Sequence, residues 1–271
     1  NDYASELGDY TLAAQDRRAA DASKFLTRLN AIPSDALNAA SKVEAGILRR
    51  ALNSTIEGNS FGQRAINFTT YSSWHQQLAG MAQNLPFRTK ADYESYNARL
   101  AQYGRVNDEN IAVANVAIKG KYTQPCVTLN GFEGTISGLI ASDIDKSRFY
   151  EPYAAKRPAA VSEADFAALA KAADATIRNV IHPALNKQLA WYTASYKPAC
   201  ARAPGVSAQP GGDKYYAFRI REETTTALTA EQIHQIGLSE VARIRAEMVE
   251  VATKAGYPSR EAFIQHLRTD P

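Results

Sequence analysis

The stretch that most narrows the folds open to this chain runs from Thr229 to Gly256, where apolar side chains recur at helical spacing between a marked start and a marked stop. Thr229 is placed as an N-cap, and Gln232 completes a capping box that satisfies two backbone N–H groups a helix start otherwise leaves orphaned. Ile233, Ile236, Val241, Ile244, Met248 and Val251 then trace one stripe, with Glu240, Arg243, Arg245, Glu247 and Glu250 largely off it. With Gly256 as the C-cap candidate, the spacing predicts a helix of roughly 26 residues, about 39 Å long at 1.5 Å per residue. Such a helix has to lay its stripe on an apolar partner.

The same period fills most of the chain. Leu12, Ala19, Phe25, Leu26, Leu29 and Ile32 predict a first helix stopped by Pro33, and Ser34 is expected to cap a second that carries Leu37, Val43, Ile47, Leu48 and Leu52 to about Ile56. These two should form an antiparallel hairpin. Further helices are expected over residues 74–84, over 90–103 behind a Thr89 cap, and over 108–118. Residues 120–130 become extended, and Gly131, Gly134 and Gly138 thin out a short helix ending near Ser142. Ser162 opens another long period through Phe166, Leu169, Ala173, Ile177, Val180 and Ala184. Pro183 removes a backbone donor within it, predicting a kink or break near Ile181 before a segment that continues to Tyr196. Residues 197–213, with Pro198, Pro204, Gly205, Pro210, Gly211 and Gly212, are the clearest loop.

Period-2 alternation is confined to pieces such as Tyr215 to Arg221, too short to separate strand from helix by pattern; helix or irregular structure is the favoured reading there. The expected class is therefore all-α, a multi-helix array with long loops and at most a minor β-hairpin, divided into an N-terminal helical region over residues 1–120 and a second over 121–271.

Apolar residues make up 45% of the 271 and charged ones 22%, enough for a sizeable core. A net charge of +3, spread over mixed-sign segments without a long like-charge run, leaves no footprint for nucleic acid or an anionic membrane surface. No run approaches the ~18 apolar residues of a transmembrane segment, so none is expected. The opening NDYASELGDY has neither Met nor a basic-then-apolar leader and reads as a trimmed or mature start.

The four histidines, His75, His182, His234 and His266, lie far apart, and none has a second ligand at metal-binding spacing. H-E-x-x-H, G-x-S-x-G, the P-loop and G-x-G-x-x-G are all missing. No catalytic residue, metal site or cofactor is therefore expected within this chain. Tyr215, Tyr216, Arg219 and Arg221 combine aromatic faces with guanidinium groups suited to a peptide backbone or carboxylate. The plainer and favoured reading of them is interhelical packing with solvated arginines. His234, early in the capped helix, reads as a cleft-wall residue or as a packed or surface histidine. Cys126 and Cys200 have two readings, unrelated thiols or a structural disulfide.

The run PGGDKYYAFRIREETTTALT with AEQIHQIGLSEVARIRAEM resembles the bacterial domain of unknown function 885 family, and NARLAQYGRVNDENIAVANVAIKGKYTQPCVTL, SRFYEPY and VIHPALNKQLAWYTASYKPAC extend the likeness from about Asn97 onward. Full-length members look like zinc metallopeptidases of gluzincin type, with an H-E-x-x-H helix well beyond the part matched here. The resemblance implies an N-terminal half whose own C-terminal half supplies zinc and general base, and whose Tyr215, Tyr216, Arg219, Arg221 and His234 wall a cleft for a peptide-like substrate. It also implies a periplasmic or secreted protein, lipid-anchored where a signal segment precedes it. In that compartment Cys126 and Cys200 would be bonded, closing a loop of about 75 residues at a chain-entropy gain of about 4 kcal/mol. A non-enzymatic helical binding module is the competing class.

Overall fold

The computed structural model describes residues 3–270. It is 72% helical with 1% strand and no sheet, so the all-α expectation holds. In chain order the helices are α1 (Leu12–Asn30), α2 (Ala39–Asn59), α3 (Trp74–Ala79), α4 (Lys90–Ala101), α5 (Tyr103–Gly120), α6 (Phe132–Ser137), α7 (Glu151–Ala154), α8 (Glu163–Thr176), α9 (His182–Trp191), α10 (Gly212–Thr224), α11 (Ala230–Lys254) and α12 (Arg260–Thr269). They fall into two compact units that divide after Gly212. Within the larger unit, helices on both sides of residue 120 pack together, α5 on α9 and α4 on α8.

The caps follow sequence logic with one correction. Thr11 and Thr89 cap α1 and α4, and at α4 Thr89 and Asp92 form a reciprocal box. The second helix is capped by Asn38, whose side chain accepts from Ser41 N–H at 2.9 Å, and not by Ser34. Pro33 leads instead into a single 3₁₀ turn over Ser34–Ala36, which spends those residues before the helix begins. α1 and α2 pair as the expected hairpin, but α2 buries none of its side chains, and Val43, Ile47 and Leu48 stay exposed.

Pro183 neither breaks nor ends its helix. From Glu163 to Tyr196 the backbone stays helical, with a π turn over Ile177–Ile181 in which His182 N–H donates to Ile177 C=O. A wider turn there gives the proline ring room where a straight α-helix would set a carbonyl against it. The device recurs at Tyr192–Tyr196, ahead of Pro198, where Lys197 N–H donates to Tyr192 C=O.

Around this double-bulged helix gathers an aromatic core. Phe68 stacks on Phe132 at 4.8 Å between ring centroids and lies 4.6 Å from Tyr196, while Phe132 meets Tyr192 at 4.7 Å. A second group joins α4 to α8 through Tyr93, Phe166 and Tyr153. Each such side chain contributes about 1.5–3 kcal/mol by burial. Several core tyrosine hydroxyls are held as well, although that of Tyr192 is buried without a partner. Tyr96 donates to Phe149 C=O (2.9 Å), and Tyr153 donates to Asn97, whose amide donates to Leu169 C=O. Burial pushes the Tyr196 hydroxyl up to about 12, and it accepts the Gln124 backbone N–H.

That bond starts a closely tied corner. Thr123 donates to Ala199 C=O, Cys126 N–H to Ala201 C=O, and Ala201 N–H to Gln124 C=O. Cys126 and Cys200 are disulfide-bonded across it, 5.0 Å apart at Cα. Thiol titration of unfolded, unreduced protein should find neither cysteine free. The Cys126→Ser/Cys200→Ser double variant should lose about 4 kcal/mol of stability by the chain-entropy argument, read from denaturant midpoints.

Deep in the core, His75 is fully buried. The Gln188 amide donates to its Nδ1 (2.8 Å), leaving Nε2–H to donate to Thr135 Oγ1 (3.0 Å), whose hydroxyl donates to Phe132 C=O. Desolvation lowers its pKa from 6.5 to about 4. The unfolded chain therefore binds the extra proton first, and stability falls as pH drops through 6.5 toward 4, by at most roughly 3 kcal/mol. Melting temperatures measured across that window should fall more steeply for the unmodified protein than for His75→Gln.

Candidate functional site

The smaller unit holds the stretch that the sequence marks most strongly. The Pro210–Gly212 turn leads into it and shows why two glycines stand together. Gly211 has φ +66°, and a Cβ on Gly212 would lie 1.8 Å from Val206 C=O. Tyr215 to Arg221 is helical, inside α10. After α10 the chain turns at Thr225 in the left-handed region (φ 57°), and the threonine run ties the turn to itself: Thr224 Oγ1 donates to Ile220 C=O and accepts from Thr226 N–H.

The capping box then forms as the sequence predicts. Gln232 N–H donates to Thr229 Oγ1 (3.2 Å) and Thr229 N–H to Gln232 Oε1 (2.8 Å). α11 runs its full length to a left-handed Gly256 (φ 82°), where Gly256 N–H donates to Thr253 C=O and Tyr257 N–H to Ala252 C=O, the paired bonds of a Schellman stop.

Between α10, the turn and the start of α11 opens a cavity of about 330 Å³ lined by Asp213, Tyr216, Ala217, Ile220, Arg221, Leu228 and Thr229. Two of the five candidate residues, Tyr216 and Arg221, line it. Tyr215 and Arg219 do not line it: Tyr215 neighbours the Phe218 ring and Arg219 pairs with Glu223. His234 is exposed on α11 and does not line the cavity. An aromatic ring, a guanidinium and a carboxylate around a small apolar floor can hold a polar chain by hydrogen bonds and ring contact. They present no nucleophile and base in contact. Among the described residues, no three His, Cys, Asp or Glu side chains converge to hold a metal ion.

What the residue-by-residue reading missed lies in the larger unit, where distant polar side chains meet inside the core. Trp74 Nε1–H donates to Asn107 (2.9 Å), and the Asn107 amide donates to Ala184 C=O, linking α3, α5 and α9 beside His75 and Gln188. The available signal was Asn107 and Asn110, polar residues set into the otherwise apolar face of Val106, Ile111 and Ala114.

The family model for a bacterial protein of unknown function, DUF885, matches residues 1–271. The chain belongs to the DUF885 family. No curated protein matches it. Among solved structures, this DUF885 chain is similar to a candidate lipoprotein from Colwellia psychrerythraea, with a TM-score of 0.83 at 20% identity over 99% of the chain and 48% of the other. It thus spans about half the length of that solved relative, and the likeness extends to the fold alone. No described helix is long and apolar enough to cross a membrane.

Replacing Thr229 by Ala removes half of the box that starts α11. It should cost about 1 kcal/mol and speed amide hydrogen exchange in the first turn after residue 229, leaving the larger unit unchanged.

Proposed function

We propose that this chain is the N-terminal helical portion of a longer, exported, zinc peptidase-like protein, and that the α10–α12 unit walls its substrate cleft against the C-terminal half. The observation that carries the reading is the stripe of α11. Ile236, Val241, Ile244, Met248 and Val251 are between 37% and 53% exposed, and Ala252 is the helix's buried residue. An apolar row of this length on a capped helix is what an interface looks like when its partner is lifted away. Beside it, α11 and α12 enclose an open apolar groove of about 280 Å³ lined by Ile244, Met248, Val251, Phe263, Ile264 and Leu267.

The length of the solved relative supports a further half of comparable size. Zinc enters through the sequence resemblance; the described side chains of this chain do not fit it, and the metal would be held elsewhere in the longer protein, where it would activate a water. The part of this chain is to hold the substrate, with Arg221 pairing a carboxylate or carbonyl and Tyr216 lying against the peptide. The Cys126–Cys200 bond supports an oxidising compartment, and the description of the Colwellia protein as a lipoprotein adds support for a lipid anchor.

Metal analysis and peptide hydrolysis, run on the longer gene product and on residues 1–271, test the reading. Bound zinc and hydrolysis are expected in the longer protein and neither in the shorter. Arg221→Ala and Tyr216→Ala should lower kcat/KM about tenfold or more with little change in Tm. Ile244→Glu should destabilise the longer protein by about 2 kcal/mol and leave the shorter one nearly unaffected. A longer protein free of zinc and inactive would leave a helical binding module in place of an enzyme.

A further inference from the structure

The larger unit holds a cavity of its own. It measures about 240 Å³, and its walls include Trp74, Leu78, Met81 and Leu85. Arg99, in the last turn of α4, forms part of the lining, with the side-chain amides of Gln77 and Asn84 and the Trp74 indole the other nitrogen-bearing groups and no carboxylate among the lining residues. Arg99 Nε is buried without a hydrogen-bond partner, and among the described residues its guanidinium makes no ion pair. Of the acids in nearby segments, Glu109 pairs with Arg105, Asp9 with Arg17 and Asp92 serves the α4 capping box, while Glu6, next to Leu7 of the lining, is exposed.

A buried guanidinium N–H without an acceptor is costly, because it has given up water and gained nothing in return. Its flat, forked edge matches one ligand class best, a carboxylate bound through two parallel hydrogen bonds. The rest of the cavity sets the remainder of that ligand. The Trp74 N–H is already spent on Asn107, so the indole can offer only its apolar surface, and the aliphatic walls favour an apolar side chain. The volume admits a molecule of amino-acid size.

We infer that this cavity binds a carboxylate carrying a small apolar side chain, with Arg99 as its anchor. The chemistry is shared by a free apolar acid and by the C-terminal end of a peptide. It stands independently of the zinc reading, since nothing in it requires hydrolysis.

Isothermal titration with N-acetyl-leucine, N-acetyl-leucinamide and a pentapeptide ending in leucine tests the site on the unmodified protein. The acid should bind at least about tenfold more tightly than the amide, the ratio expected from one charge-assisted pair. Arg99→Met, which keeps an apolar stem, should erase that preference, and Arg99→Lys should restore part of it. A pentapeptide as tight as the acid assigns the site to a chain end, and a weaker one assigns it to a free acid; both support it. Equal binding of acid and amide, no binding of either, or an acid preference that survives in Arg99→Met would overturn it.

Discussion

The larger unit depends on a single helical run that continues through a proline. A straight α-helix cannot accept Pro183 in its interior without losing a bond and meeting a carbonyl. The π turn over Ile177–Ile181 accommodates the ring and keeps the axis going. Because the run survives, Ile177, Ile181, Leu185, Tyr192 and Tyr196 can all be presented to one core, and all five are essentially inaccessible to solvent. A break at residue 181 would leave two shorter helices and part Ile177 and Ile181 from Leu185, Tyr192 and Tyr196. The second π turn ends the run beside Cys200, so the helix delivers its last residues to the disulfide corner, where Gln124, Cys126 and Ala201 close the backbone bonds.

The second constraint is polar. A core that contains His75, Asn107, Asn110 and Gln188 has to satisfy most of their polar atoms, since an unmade hydrogen bond on a buried group costs about 1–3 kcal/mol, and of these four side chains Gln188 Oε1 is the atom left without a partner. Each of these side chains bonds across to another element or back to its own helix, and the cross-bonds allow little freedom of register. Sliding α9 by one residue past α5 would part Asn107 from Ala184 and Gln188 from His75 together. Apolar packing alone tolerates such slips far better.

How much of this could be read in advance follows from the range of each interaction. Thr229 with Gln232, Thr89 with Asp92 and Gly256 act over three to six residues, so the caps and the length of α11 were legible. Ser34 was misread because it and Asn38 are both good caps, and only the 3₁₀ turn after Pro33 decides between them. Pro183 announced a disturbance, but whether a helix breaks or widens depends on what packs around it, and those partners are more than sixty residues away in sequence. For the candidate site, the 100° step sets Tyr216 about 60° from Arg219 and about 140° from Arg221, so the helical period alone does not single out the two that line the cavity; that is decided by how the turn and the start of α11 lie against α10. Besides the adjacent Ser73, the partners of His75 come from α6 and α9, and no local pattern announces those two.

The smaller unit is built on a different energetic footing. From Asp213 onward, among the described residues, only Phe218 and Ala252 are buried, whereas the larger unit seals whole aromatic groups from water. Ordering a residue costs on the order of 1.5 kcal/mol in conformational entropy, and burial of one phenylalanine and one alanine cannot offset that over three helices. What holds α10–α12 locally is a cap at each helix start or stop, the Tyr257–Phe263 ring contact at 4.9 Å, and exposed ion pairs such as Arg243 with Glu240 and Glu247. Exposed pairs add little, and caps fix where helices begin and end without making them stable. The apolar stripe of α11 is therefore the largest untapped source of stability in the unit, and a sequence that keeps Ile236, Val241, Ile244, Met248 and Val251 in register along it has placed that source where a partner surface can reach it.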